Sequence, residues 1–260
     1  LSKRTASLRE LQQLGGKLQW STAVVPAGRP YTRRIYQLTR HLNKPHHHAR
    51  IPAYVRHDLR SWLNFIDNWN GRALLERPRS PLHIATDAST TIACGGVDTS
   101  TGSWFQLKWA PHHARSILDP DMARQLTWQE RIDLPITWKE LYALVIATAV
   151  WGPQLRGHTA NILCDNSGAV ALVAKRTSPV PDILALLRLH THIEATYDIT
   201  VTAEHIPGES NRLADSISRN DLTSATTLCP DLEQVPRALP ADIVAFEQQL
   251  SNAFFKATQE

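Results

Sequence analysis

Only three cysteines occur in the 260 residues, Cys94, Cys164 and Cys229, and no two of them form a Cys-x-x-Cys pair. That excludes a disulfide framework and a zinc ribbon. It suits a reducing compartment, so an intracellular location, cytoplasm or nucleus, is expected. Cys94 and Cys164 lie in strand-like runs and read as buried packing. Long apolar runs are missing too. The richest, Ala143–Trp151, is broken by Thr148 and falls far short of the ~20 residues a membrane helix needs, so no membrane partner is expected. The opening LSKRTASLRE lacks the apolar centre of a signal peptide. The chain starts with Leu1 rather than Met, as a piece of a longer protein does. Acids are scarce in the first third. Through residue 80, fifteen Lys and Arg face four Asp and Glu; the remainder has thirteen against twenty. A basic first third before an acidic remainder fits phosphate binding beside an acid-rich site, or Arg-rich helices with solvated faces.

What is present supports a packed core: 42% of residues are hydrophobic and 20% charged. Residues 1–80 read as helices. Leu8, Leu11, Leu14, Leu18 and Trp20 recur at helical spacing, with Gly15–Gly16 as a weak point or a close-packing site. The stretch Pro26–Pro30 reads as a break. Tyr31–Leu42 sets Ile35, Leu38 and Leu42 on one face. His46, His47 and His48 read as loop, because three adjacent histidines cannot share a helical face. After Ile51-Pro52, Val55, Leu59, Trp62, Leu63 and Ile66 mark a third helix ending at Asn70-Gly71. The charged, proline-containing stretch Arg72–Pro81 reads as a domain boundary.

From Leu82 the pattern alternates. Leu82–Asp87, Ile92–Asp98 and Ser103–Trp109 read as strands, with a turn at Thr99–Gly102. Residues 110–135 read as a long loop with one helical turn. Thr137 opens a helix with capping-box spacing to Glu140. Thr159–Cys164 is a strand ending at Asp165-Asn166, followed by a helix to Ala174. Then come a helix Asp182–Ala195, a strand Ile199–Ile206, a turn at Pro207-Gly208 and a helix Ser210–Ser218 bearing Asp215. Residues 221–260 read as a C-terminal loop and a last helix near Ala241–Phe255.

Four acids in this β-β-β-α-β-α-α-β-α order fall where they can meet: Asp87, Glu140, Asp165 and Asp215. Crowded carboxylates repel unless cations neutralise them. Two divalent ions about 3.5–4 Å apart can activate a water and steady the leaving oxygen of a phosphodiester. Each acid also has a plainer reading. Asp87 and Asp165 suit turns, Glu140 a capping box, and Asp215 a solvated helix face.

The surrounding residues resemble a known family. TDAS at 86–89, ITWKELYAL at 136–144, CDNSGAV at 164–170 and HIPGESNRLADSISR at 205–219 resemble the four acidic motifs of type 1 ribonuclease H in its retrotransposon form, nearest to the DIRS-type, tyrosine-recombinase elements. LQQLGGKLQWSTAVVPAGR at 11–29 and RHDLRSWLNFIDNWNG at 56–71 resemble the segment after the polymerase palm of those elements. The resemblance implies an α/β fold with a mixed five-stranded sheet flanked by helices over 81–220. A small basic thumb or connection region over 1–80 would precede it. It implies that Asp87, Glu140, Asp165 and Asp215 hold two Mg²⁺ (or Mn²⁺) and that the RNA strand of an RNA–DNA hybrid is cut. Ser89 and Asn166 beside the acids, and Arg29, Arg33 and Arg34 on the basic helices, are the expected backbone contacts, against strand-end turn roles for the first two. Cellular enzymes of this type carry a His shortly before the last Asp; here that loop is Gly208–Asn211, and Glu209 is the group available to assist proton transfer. No Asp-Asp occurs, so the polymerase palm is expected upstream in the same polyprotein. The alternatives are a catalytically silent retroelement remnant that binds nucleic acid or a partner, and another nuclease or recombinase on the same fold. DDE-type integrases usually end their triad with Glu where this chain has Asp215.

Overall fold

The computed structural model describes residues 3–69, 77–110, 113 and 135–249. They fall into two compact units, one of residues 1–76 with 176–180 and one of 77–175 with 181–260.

The helical unit starts with a short strand, β1 (Thr5–Ser7), that runs directly into α1 (Leu8–Ser21). Ser7 and Glu10 close a capping box. The Ser7 hydroxyl accepts from the Glu10 amide at 3.3 Å, and the Glu10 carboxylate accepts from the Ser7 amide at 2.8 Å. Leu8, Leu11, Gly15 and Leu18 are buried, whereas Trp20 is 78% exposed. Two residues advance a helix by about 200°, so Trp20 points away from Leu18 and does not belong to the apolar stripe. The glycines differ as well. A Cβ on Gly15 would lie 3.1 Å from the Tyr36 ring, while Gly16 has open space. Gly15 is the close-packing site.

Pro26–Gly28 is a 3₁₀ turn that leads without interruption into α2 (Arg29–Thr39). The break between α1 and α2 therefore covers residues 22–28 rather than reaching Pro30, because Pro30 in the first turn of α2 supplies helical φ where no amide donor is needed. The histidine triplet is not all loop: β2 (His48–Arg50) pairs antiparallel with β1, His48 opposite Ser7. In α3 (Ala53–Trp69) Val55 and Trp62 are buried, but Leu63 and Ile66 are about half exposed. The inward stripe is completed instead by Asp58, fully buried and paired to Arg34 at 3.3 Å.

The second unit holds a five-stranded sheet. Its strands are β3 (Ile84–Ala88), β4 (Ala93–Asp98), β5 (Ser103–Lys108), β6 (Thr159–Cys164) and β7 (Thr200–His205). The order is β5-β4-β3-β6-β7, with β3, β4 and β5 antiparallel in sequence and β3, β6 and β7 parallel. This is the ribonuclease H-like topology, an α/β fold with a mixed sheet flanked by helices. Crossing helices are α4 (Ile136–Val150), α5 (Ser167–Lys175) and α6 (Pro181–Tyr197); α7 (Arg212–Ser218) follows β7. Every residue of α4 from Trp138 to Val150 is buried, as a helix apolar all round must be. Its core includes Ile84, Phe105, Ile162 and Leu186. On the opposite sheet face Ala214 and Ile217 of α7 pack on Ala85, Val97 and Trp104. A Cβ on Gly95 would lie 2.5 Å from Ile217, so glycine is what lets α7 approach β4.

Residues 220–240 contain a helix that periodicity did not reveal, α8 (Leu222–Leu228), capped by Asp221 accepting from the Ser224 amide at 3.1 Å. Beyond it the chain returns to β5, where the Glu233 carbonyl accepts from the Trp104 indole at 2.7 Å. A last helix covers residues 241–249; its expected extension to Phe255 lies outside the described residues. Glu247 on this helix meets the buried His113 at 2.9 Å and accepts from the Tyr142 hydroxyl. Apart from Ala110, His113 and Pro135, the expected loop over 110–135 lies outside the described residues, as do Asn70, Gly71 and residues 72–76 of the expected boundary.

Candidate active site

Two of the acids are brought together by strand pairing. β3 and β6 are parallel with Thr86 opposite Cys164, so Asp87 and Asp165, the residues after them, emerge side by side at the strands' carboxyl ends. This is where open α/β sheets present ligand sites. Asp87 is buried and Asp165 half-buried. Gly208, which opens the 3₁₀ turn Gly208–Ser210, lies over Asp165; a Cβ there would be 3.3 Å from the Asp165 Oδ2.

Glu140 comes from the second turn of α4. The helix starts at Ile136 behind Pro135, with no side-chain cap. The capping-box reading of Thr137 and Glu140 therefore fails: the helix starts two residues early, behind Pro135, and leaves Glu140 inside it. Glu140 is 3% exposed, and its carboxylate accepts from the Ala88 amide and, at 3.7 Å, from the Cys164 thiol. Oxygens of Glu140 and Asp165 and the Cys164 sulfur lie within 4.8 Å of one another, the one such ligand group among the described residues. The histidine triplet forms none.

Asp215, on α7, is partly exposed and pairs with Arg219 one turn later, Nε to Oδ1 2.6 Å. Its charge reaches both Asp87 and Asp165. Each of the four acids thus acts electrostatically on at least two of the others, while Glu140 and Asp165 are the two whose oxygens share the close ligand group with Cys164. Burial, then the charges of Asp165 and Asp215, push Asp87 up to about 6 against the Ser218 hydrogen bond. Burial, then Asp87 and Asp165, push Glu140 up to about 9. Asp165 is raised by burial with Asp215 adding to it. Burial is the largest cause in each case and the neighbouring carboxylates add to it, so both resist full ionisation of the cluster.

That donor set fits hard divalent cations. Carboxylate oxygens dominate it, and burial drives the Cys164 thiol far above its usual range, so it stays protonated and offers no thiolate.

Other predicted contacts have local employment. The Ser89 hydroxyl accepts from the amides of Ile92 and Ala93 in the β3–β4 turn. Asn166 Oδ1 accepts from the Ala169 amide at 3.0 Å and starts α5. Arg29, Arg33 and Arg34 belong to the helical unit. Arg34 serves Asp58 and lies 5.1 Å from the centre of the Tyr54 ring, and the Arg33 Nε is buried without a hydrogen-bond partner.

Three side chains at the site were missed in the sequence. Ser218 donates its hydroxyl to Asp87 Oδ2. Asn211 Nδ2 donates to the Thr86 carbonyl at 2.9 Å. Lys139 is buried beside Glu140, donates to the Thr90 carbonyl and lies 5.4 Å from the Trp109 ring centre. The signal for Ser218 was its i+3 position from Asp215, which puts both on adjoining faces of one helix. For Lys139 nothing in a buried apolar helix marks it out.

No family model and no curated protein matches the chain. Among solved structures it is similar to the foamy viral protease-reverse transcriptase dRH in complex with ds DNA, at 14% identity and a TM-score of 0.30, over 92% of this chain and 38% of that one. It is also similar to the foamy viral protease-reverse transcriptase in complex with dsDNA, at 14% identity and a TM-score of 0.25, over 92% and 43%. The chain spans less than half the length of either, and likeness at these scores carries no argument.

Proposed function

We propose that this chain is the ribonuclease H part of a retrotransposon reverse transcriptase, DIRS-type by its motifs, and that it cuts the RNA strand of RNA–DNA hybrids. The observation that carries the reading is the convergence of four carboxylates from β3, α4, β6 and α7. Asp87, Glu140, Asp165 and Asp215 would hold two Mg²⁺ (or Mn²⁺), which supply an activated water and neutralise charge at the phosphodiester.

The chain's own groups divide the remaining work. Asp87 and Glu140, buried and hydrogen-bonded by Ser218 and by Ala88 and Cys164, are fixed in place before substrate arrives. Asp165 and Asp215 are more open to solvent and face incoming phosphate. Glu209, exposed on the turn that covers Asp165, is the group to take or return a proton in place of the absent histidine. Contacts to 2′-hydroxyls would tell the hybrid from DNA duplex. The basic helical unit, with Arg29 and Arg33 and the exposed Trp20, would hold the backbone without regard to sequence. The polymerase palm would lie upstream in the same polyprotein.

The test uses two hybrids, one labelled in the RNA strand and one in the DNA strand, with Mg²⁺ or with a chelator. Internal RNA cuts that need Mg²⁺ support the reading. Cuts or joining in the DNA strand would point to a recombinase chemistry, and tight binding without turnover to a silent remnant.

A further inference from the structure

We propose that Ser218 is a positioning residue that presents the Asp87 carboxylate to the cation site; this rests on the metal-dependent reading above. Ser218 closes α7, is fully buried, and its Oγ donates to Asp87 Oδ2. The same oxygen lies 3.0 Å from the Asp215 carbonyl. A serine hydroxyl carries one proton, and a carboxylate is the stronger acceptor, so the proton goes to Asp87.

Among the described residues the hydroxyl is one of two side-chain hydrogen bonds that tie α7 and its N-cap to β3. Asn211, at the other end of the helix, is 2% exposed and donates to the carbonyl of Thr86, the residue before Asp87. Two consecutive residues of the central strand are therefore held from the two ends of one short helix. Asp215 sits between the ties, with its amide donating to the Asn211 carbonyl at 3.0 Å. Gly95 removes the Cβ that would push Ile217 and the helix away. The spacing of the first and last acids is thus set by this docking, and of the two ties it is the one from Ser218 that acts on a carboxylate oxygen. It fixes the rotation of Asp87 and commits Oδ2 to the protein, leaving Oδ1 for a cation.

The test compares wild type, Ser218→Ala and Ser218→Thr by Mn²⁺ titration, read calorimetrically, and by kcat and KM on a hybrid. Losing one charge-assisted bond should weaken Mn²⁺ binding in Ser218→Ala about tenfold, equivalent to ~1.4 kcal/mol. It should lower kcat with KM for the hybrid unchanged, and Ser218→Thr, which keeps the hydroxyl, should recover most of both. Wild-type Mn²⁺ affinity in Ser218→Ala would overturn the inference. So would a threonine variant that binds Mn²⁺ no better than the alanine one. Should Ser218→Ala fail to fold, the threonine variant still decides, because a positioning role requires near-wild-type affinity from it. Mn²⁺ binding without hybrid cleavage would remove the ribonuclease reading and leave the Ser218 inference standing. No Mn²⁺ binding by wild type would remove both.

Discussion

Two sets of buried acids, one in each unit, are treated in opposite ways. In the helical unit Asp58 is fully buried and is answered by Arg34. In the sheet unit Asp87 and Glu140 are as deeply buried, and the neighbours that act most on them electrostatically are other acids. Arg219, the cation at the rim, is 63% exposed and pairs with Asp215. The first arrangement is what a stable fold needs. The second costs stability, and a fold retains such a cost where a site needs it. The contrast is what sets Asp87 and Glu140 apart as candidates for a site.

The comparison breaks most visibly through activity. Asp165→Asn should lower Mg²⁺-dependent hybrid cleavage on the order of 10³-fold, since a metal contributes several kcal/mol to the transition state and each 1.36 kcal/mol is tenfold. Its melting temperature should hold or rise, because one of the repelling charges is gone. A fall in both would make Asp165 structural. The helical unit should behave in reverse. Removing one partner of a buried pair costs about 3–5 kcal/mol; Arg34 is partly solvated, so screening leaves about 1–2 kcal/mol for Asp58→Asn. Denaturant unfolding would show it, and hybrid cleavage per folded molecule should barely change.

pH sharpens the same contrast. Asp87 at about 6 and Glu140 at about 9 both lie above their ordinary values of 3.8 and 4.5. The folded state then holds protons that the unfolded chain releases, so this contribution to stability is complete below about pH 4 and is lost as pH rises towards 9. The metal-free protein should melt at falling temperature between pH 5 and pH 9. Glu140→Gln should flatten most of that slope, and saturating Mg²⁺ should offset it. A flat wild-type profile would contradict the proposed crowding. The smallest effect concerns Arg219. An exposed i,i+4 pair contributes ~0.3–0.5 kcal/mol, so Arg219→Gln should leave the melting temperature almost unchanged. Mn²⁺ affinity should rise by about twofold, as a competing cation at Asp215 is gone.

Much of the sheet unit was legible in the sequence because local pattern and tertiary role agree there. β6 runs from Thr159 to Cys164 as its apolar run does, and Asp87 and Asp165 stand at strand ends. The helical unit was legible in outline only. Trp20 sits two residues from a stripe position and faces solvent; Asp58, a charged residue, faces inward because Arg34 reaches it from another helix. Such pairings depend on contacts 24 residues apart, which periodicity does not encode. Ser218 and Asn211 were quoted within a motif, yet their roles follow from partners on β3, more than a hundred residues earlier. α8 escaped because LTSATTL has no amphipathic period to mark it.

The central claim is that the buried acids are a cation-dependent active site. Its most direct test is cleavage of a hybrid labelled in RNA by wild type and Asp87→Asn, side by side, across a Mg²⁺ titration. Wild type should make saturable, Mg²⁺-dependent cuts and a folded Asp87→Asn none. Equal cleavage by the two proteins would contradict the claim.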